Sequence, residues 1–268
     1  MSTTIAAKLW VETELDHVEA FGFCGGRGAF FSRPRPGRSG PNEDAALVVA
    51  LGPDTGVLAV ADGAGGQAGG AFASRTAVEH LQRALVSEGT TTTRERILSG
   101  IEAANDALLA QGSGAATTLV VLELGEGRVR PYVVGDSQVL LLGRAGTLRY
   151  LSAPHSPVGY AVRSGLIDES AAMQHLDRHL VSNVIGLEGM AVEVAAPLPL
   201  ASGDTLLVAS DGLFDNLSTE EIALQLGAGG PEEATAALAA ASRDRMETPG
   251  GPAPSKPDDL TLLAFQAG

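Results

Sequence analysis

The chain has 268 residues, 44% of them apolar, and 32 Asp and Glu against 18 Lys and Arg give a formal net charge of −14. Such a surface repels phosphate backbones and anionic lipid, which argues against nucleic acid and membrane as partners. The single Cys24 excludes an intrachain disulfide and fits a reducing compartment. No apolar run approaches the ~18 residues needed to span a bilayer, and Met1 to Leu9 lacks a long apolar stretch, so the expectation is one large cytoplasmic domain over residues 1–268.

In chain order, the first sixty residues predict strands and turns, with Arg33-Pro34-Arg35-Pro36-Gly37-Arg38-Ser39-Gly40-Pro41 as a stiff basic loop. A glycine-rich turn, Gly63 to Gly70, leads into a helix that places Ser74, Val78, Leu81 and Leu85 on one face. A second helix opens at the capping box Thr92-x-x-Glu95 and carries Ile97, Ile101, Ala104 and Leu108 on one stripe. Strands are predicted near 117–124, 128–135, 137–143 and 147–150, separated by glycine-bearing turns. Residues 152–190 have little regular pattern beyond a short helix near 168–180. A strand at 205–210 precedes a helix opened by Ser218-x-x-Glu221, an alanine-rich helix spans 231–246, and a final strand follows the loop Thr248 to Pro257. Strands, helices, strands and helices again, without regular βαβ alternation, predict an α+β fold of mostly antiparallel sheets layered with helices.

Three apolar runs end in a small residue and then an aspartate: Val57 to Asp62, Tyr132 to Asp136, and Leu206 to Asp211. Asn42-Glu43-Asp44 and Asp258-Asp259 stand immediately before two further runs. Any one of these aspartates alone is explained by turn chemistry, because its carboxylate caps backbone amides. Together they deliver carboxylates to the ends of interior strands, where unpaired anions are tolerated only when paired or binding a cation. An all-oxygen donor set without adjacent His or Cys points to a hard divalent ion, Mg2+ or Mn2+.

The motifs Asn42-Glu43-Asp44, Val60-Ala61-Asp62-Gly63-Ala64-Gly65-Gly66, Ala116-Thr117-Thr118, Val134-Gly135-Asp136-Ser137, Gly203-Asp204, Ser210-Asp211-Gly212-Leu213-Phe214-Asp215 and Asp258-Asp259-Leu260-Thr261 stand in that order. In sequence and spacing they resemble the metal-dependent serine/threonine protein phosphatases of type 2C, over nearly the whole chain. The resemblance implies a four-layer α-β-β-α sandwich, two mostly antiparallel sheets flanked by helix pairs. It implies Mn2+ or Mg2+ as cofactor, two ions with a weaker third site, and hydrolysis of phosphoserine or phosphothreonine by a water bridging the metals. Asp62 would bridge the two ions, the Gly63 carbonyl would complete one shell, and Asp211 and Asp258 would ligate the other ion. Glu43 and Asp44 would hold metal-bound waters, and Asp136 with Asp211 would form the third site. A phosphorylated protein and an opposing serine/threonine kinase pathway are the implied partners.

The pattern also departs from the family. Ser39 stands where an arginine usually grips the substrate phosphate, which makes Arg38 the candidate clamp, with Arg35 and Arg33 as alternatives. Ala64, Gln67 and Gln138 replace residues the family usually carries, and Pro154-His155-Ser156 replaces its Asp-His-Ser. These departures motivate the alternative of a weakly catalytic pseudophosphatase that binds phosphoproteins or a signalling partner. His155 is suited by its ordinary pKa to protonate a leaving oxygen, although a packing role in the loop competes. His175-x-x-x-His179 has helical spacing without the glutamate of a zinc protease, and a solvated helix explains it. Cys24 has no basic context and is expected to be an inert, buried thiol. Residues 152–190, rich in turn formers, are expected to form a variable flap beside the cleft.

Overall fold

Continuous apolar runs in antiparallel strands need both faces covered, since a one-sided sheet would alternate apolar with polar. A computed structural model, which describes residues 3–4, 6–64, 69–89, 91–248 and 253–268, shows how both faces are covered. Two sheets stack face to face. One runs in the order Thr3–Thr4, Glu19–Phe23, Gly26–Arg33, Leu260–Gln266, Thr205–Ala209, Gln138–Leu142, Leu148–Leu151. The other runs Glu193–Val194, Arg128–Val134, Leu119–Gly125, Gly56–Ala64, Asp44–Ala50, Ala7–Val11, with Leu198–Pro199 and Ala116–Thr117 pairing at its margins. Apart from the parallel pair Thr3–Thr4 with Glu19–Phe23, the pairings are antiparallel.

Within Asp44–Ala50, Ala45, Leu47 and Val49 face a helix layer, while Ala46 and Val48 face the opposing sheet. Leu206 and Val208 likewise point between the sheets, and Leu207 and Ala209 point outward into a second helix layer. The period-2 geometry of a strand therefore sends alternate side chains into separate apolar layers. Burying each Val or Leu among them contributes roughly 1.5–3 kcal/mol. The outer layers are Gly69–Val86 with Thr93–Gln111 on one side and Thr219–Gly227 with Pro231–Glu247 on the other. This is the α-β-β-α sandwich expected from the motifs.

The helix signals in the sequence are realised in detail. Ser74, Val78, Leu81 and Leu85 are all buried. Thr92 and Glu95 form the reciprocal cap, Thr92 N–H donating to Glu95 Oε2 at 2.7 Å and Glu95 N–H to Thr92 Oγ1 at 3.2 Å. Ser218 and Glu221 repeat the arrangement.

Between 152 and 190 the outcome differs from expectation. Helices form at Pro157–Arg163, capped by Ser156 with Pro157 in the first turn, and at Glu169–Met173, capped by Asp168. The predicted helix to residue 180 stops at Met173, so His175 and His179 sit in turns and not on one helical face. Cys24 is half-buried, and burial, followed by the charge of Asp54, pushes its thiol up to about 12, which makes it a poor nucleophile. Of the glycine-rich turn, Gly65, Gly66 and Gln67 lie outside the described residues. Among the described residues no helix is long and apolar enough to cross a membrane.

Candidate active site

Strand register brings the first two acids together. Asp44 opens its strand directly opposite Asp62 on the neighbouring strand. Asn42 shapes the entry: its Oδ1 accepts the Asp44 N–H at 2.9 Å, while its Nδ2 donates to Thr13 O and Ser32 Oγ. The Ala116-Thr117-Thr118 motif pins the Asp62 backbone from the other side. Asp62 N–H donates to Thr118 Oγ1 at 3.0 Å, and Thr118 N–H and Thr117 Oγ1 both donate to Asp62 O at 2.9 Å. Thr118 Oγ1 also lies 2.7 Å from Ser137 Oγ, which ties the Asp62 strand to the Gly135-Asp136-Ser137 turn.

That turn requires its glycine. Gly135 has φ +104°, and a Cβ there would lie 2.5 Å from the Cβ of Thr118. Asp136 is thereby presented between Arg128–Val134 and Gln138–Leu142. The opposing sheet supplies the remaining acids. Asp211 follows the strand Thr205–Ala209 and starts a short helix, Asp211–Phe214. Ser210 does not cap that helix with its side chain; its hydroxyl instead donates to Asp44 Oδ2 at 2.9 Å, across the two sheets. The next residue, Gly212, packs so closely on the backbone of Asp259 that a Cβ would lie 2.1 Å from its carbonyl oxygen. Asp211 is thus held beside Asp258-Asp259.

Burial and mutual repulsion raise the carboxyl pKa values of this group. Asp44 is buried and raised well above the usual range, first by desolvation and then by the charge of Asp259. Asp62, which keeps some solvent contact, is raised by desolvation and by Asp44, Asp211, Asp258 and Asp136. Desolvation and Asp211 push Asp136 to about 8 and Asp258 to about 7. Asp215 is pushed to about 6 by the same two causes. Two oxygens, Glu43 Oε1 and Asp44 Oδ1, are buried without a hydrogen-bond partner. Buried oxygens lacking donors, within a set of acids that repel one another, fit hard divalent cations. Among the described residues, however, no three His, Cys, Asp or Glu side chains close around one point.

Two basic residues explain part of that spacing, and sequence reasoning assigned a role to only one of them. Arg38 does not stand open toward a cleft. Its Nη2 pairs with Glu43 Oε2 at 2.6 Å and its Nη1 with Asp259 Oδ2 at 3.2 Å. Asp259, 4% exposed, also accepts the N–H groups of Arg35 at 2.8 Å and Glu43 at 2.7 Å, so it anchors the whole basic loop. Lys256 places its Nζ 2.5 Å from Asp211 Oδ2, 2.6 Å from Asp215 Oδ2 and 3.3 Å from Asp258 Oδ2. The only sequence signals for these partners were Lys256 two residues before Asp258, and Asp215 closing the Ser210 motif. Gly63 donates its N–H to the Glu43 carbonyl at 3.2 Å, behind Asp62. The Gly203-Asp204 motif is structural and separate: Asp204 accepts Ala201 and Arg144 N–H groups and pairs with Arg149.

Residues 152–173 build the wall of a cleft of about 460 Å3, with Asp136, Asp211 and Asp215 on one side and Val158, Val162 and Met173 on the other. Glu169 accepts the Thr219 N–H, and Arg178 donates to Ser255 O, tying this segment to the far helices and to the Lys256 loop. His155 is buried, and both ring nitrogens are used within the fold. Nδ1 accepts from Gly135 N–H at 3.2 Å and from Asn183 Nδ2 at 2.8 Å, and Nε2 faces Glu193 Oε2 at 3.3 Å. It braces the Asp136 turn and holds no free proton for a leaving group.

The family profile described as Protein phosphatase 2C matches residues 36–244. A serine/threonine phosphatase stp of Listeria welshimeri is 32% identical over 176 residues, 62% of this chain and 69% of the relative. Protein phosphatase PhpP of Streptococcus pneumoniae serotype 2 is 30% identical over 174 residues, 62% of this chain and 70% of the relative. The crystal structure of the Mycobacterium tuberculosis serine/threonine phosphatase PstP/Ppp superposes with a TM-score of 0.74 at 27% identity, covering 90% of this chain and 98% of that one. A structure of the PstP catalytic domain in complex with 2 manganese ions superposes at 0.70 and 26% identity, covering 90% of this chain and 97% of that one. The chain belongs to the protein phosphatase 2C family.

Proposed function

We propose that this chain is an active, Mn2+- or Mg2+-dependent phosphatase that removes phosphate from phosphoserine and phosphothreonine in proteins. The observation that carries the reading is a set of mutually repelling acids: Asp62 feels the charges of Asp44, Asp211, Asp258 and Asp136, and two of these, Asp136 and Asp211, line the cleft. Bound divalent ions supply charge neutralisation for the phosphate and acidify the attacking water. Asp62 would be shared by two ions, with the Gly63 carbonyl helping to hold one and Asp211 and Asp258 the other, and Asp136 with Asp211 would hold a third. Glu43 and Asp44 present their unpartnered oxygens as acceptors for ordered water and so orient what the first set binds. Arg38 engages Glu43 and Asp259 through its terminal nitrogens, and its remaining N–H donors are those left to grip a substrate phosphate.

The described chain works as one phosphatase unit, with residues 152–190 as the flap that reads the substrate around the phosphate. Its substrates are cytoplasmic phosphoproteins made by an opposing serine/threonine kinase. The pseudophosphatase reading is not favoured, because each proposed ligand is present and the departures at Gln138 and Pro154 replace none of them. The test is hydrolysis of p-nitrophenyl phosphate with and without Mn2+, followed by a phosphothreonine peptide. Metal-dependent turnover that chelator removes is expected; well-folded protein without such turnover overturns the reading.

A further inference from the structure

A lysine ammonium among three aspartates at the edge of a metal cluster is not needed to fold the strands that carry those aspartates. Its placement is nevertheless specific. Asn216, fully buried, clamps the Lys256 backbone at both ends: Lys256 N–H donates to Asn216 Oδ1 and Asn216 Nδ2 donates to Lys256 O, each at 2.9 Å. The preceding residue is also held, Ser255 donating its hydroxyl to Arg245 O at 2.8 Å and accepting Arg178 at its carbonyl at 3.0 Å. The backbone is therefore fixed, so any change of partner has to come from rotation of the four-carbon side chain.

The partners divide into two kinds. Asp211 and Asp258 are proposed cation ligands, whereas Asp215 is assigned to no ion. The ammonium contacts all three, and no three acids close around a point among the described residues. We propose that Lys256 is a tethered counter-cation that holds the outer acids of the metal-free protein and is displaced from Asp211 and Asp258 when a divalent ion binds, keeping Asp215 as its resting partner. The proposal rests on the metal-dependent reading above. It makes Lys256 a positioning residue: it keeps mutually repelling carboxylates folded in place before metal arrives, and weakens metal binding by competing for the same oxygens.

Calorimetric titration of Mn2+ into wild-type and Lys256→Gln protein at pH 8, with thermal unfolding of both metal-free forms, tests this. Lys256→Gln is expected to bind at least one Mn2+ on the order of tenfold more tightly, the scale on which neighbours of a metal site act. Its metal-free form should melt lower and gain more from Mn2+ than wild type. A second measurement on unaltered protein covers the case in which the variant does not fold: amine acetylation at Lys256, read by mass spectrometry, should rise when Mg2+ is added. Equal or weaker Mn2+ affinity in Lys256→Gln, or labelling indifferent to Mg2+, overturns the proposal. Failure of wild type and variant alike to bind Mn2+ overturns the metal reading and this one together; unchanged affinity with binding intact overturns this one alone.

Discussion

The two basic residues at the cleft neutralise acids in different ways. Arg38 is buried against Glu43 and Asp259 and joins the loop Arg33–Pro41 to the final strand. Neither acid is a proposed direct ligand, so its ion pairs can persist whatever the cleft binds. Lys256 lies 19% exposed against Asp215 and against Asp211 and Asp258, the last two being proposed cation ligands. A planar, forked guanidinium suits a permanent junction, and a compact ammonium on a flexible stem suits a place-holder. One side of the site is thus built to stay closed, and the other to exchange its counter-charge.

The largest effect is expected where no basic residue compensates. Asp62→Asn removes charge shared by the whole cluster and should lower Mn2+-dependent hydrolysis of p-nitrophenyl phosphate on the order of 10³-fold, the scale of removing a central electrostatic contact. Near-normal turnover in that variant would dismiss Asp62 as the shared ligand. Breaking the permanent junction comes next. Arg38→Met leaves Glu43 and Asp259 without their counter-charge and should cost about 3 kcal/mol in urea unfolding. That loss should remain in saturating Mn2+, whereas any loss in Lys256→Gln should disappear there; the same metal response in both variants would erase the distinction between the two sides.

Acidity offers a subtler measure. Asp136, Asp258 and Asp215 have folded values of about 8, 7 and 6, all above the unfolded carboxylate value of 3.8. Between pH ~4 and ~8 the folded chain therefore binds more protons than the unfolded one, and stability falls as pH rises through that window. Metal-free protein should melt highest near the acid end of the window, and saturating Mn2+ should flatten the trend by favouring the ionised acids. A metal-free melting temperature that climbs steadily across the window would mean that the cluster is better compensated than its burial implies. The smallest effect concerns the flap. Shortening residues 158–170 should leave small-aryl phosphate turnover within about threefold, since the acids stand on rigid strands, while preference among phosphopeptides changes. Equal losses on both substrates with Mn2+ binding intact would make the flap part of the catalytic machinery.

Much of this was legible locally. Each clustered aspartate borders a continuous apolar run, and each such run is a strand buried on both faces. The capping boxes at Thr92 and Ser218 specify helix starts within four residues, because the donors and acceptors involved are neighbours in sequence. The helix Pro157–Arg163 escaped, and the helix expected near 168–180 proved to be only Glu169–Met173, because elements of 7 and 5 residues are too short to show a 3.6-residue period.

What the sequence by itself determined was which carboxylates stand at strand ends, with no Cys or His among them. Tertiary structure alone decided which cation each acid meets. Arg38 reaches Asp259 across 221 residues and Lys256 reaches Asp211 across 45, both through strand ends that pairing register brings together. No local pattern encodes those meetings, because a charge in a low-dielectric interior is answered by whatever the packed strands place beside it, however distant in the chain.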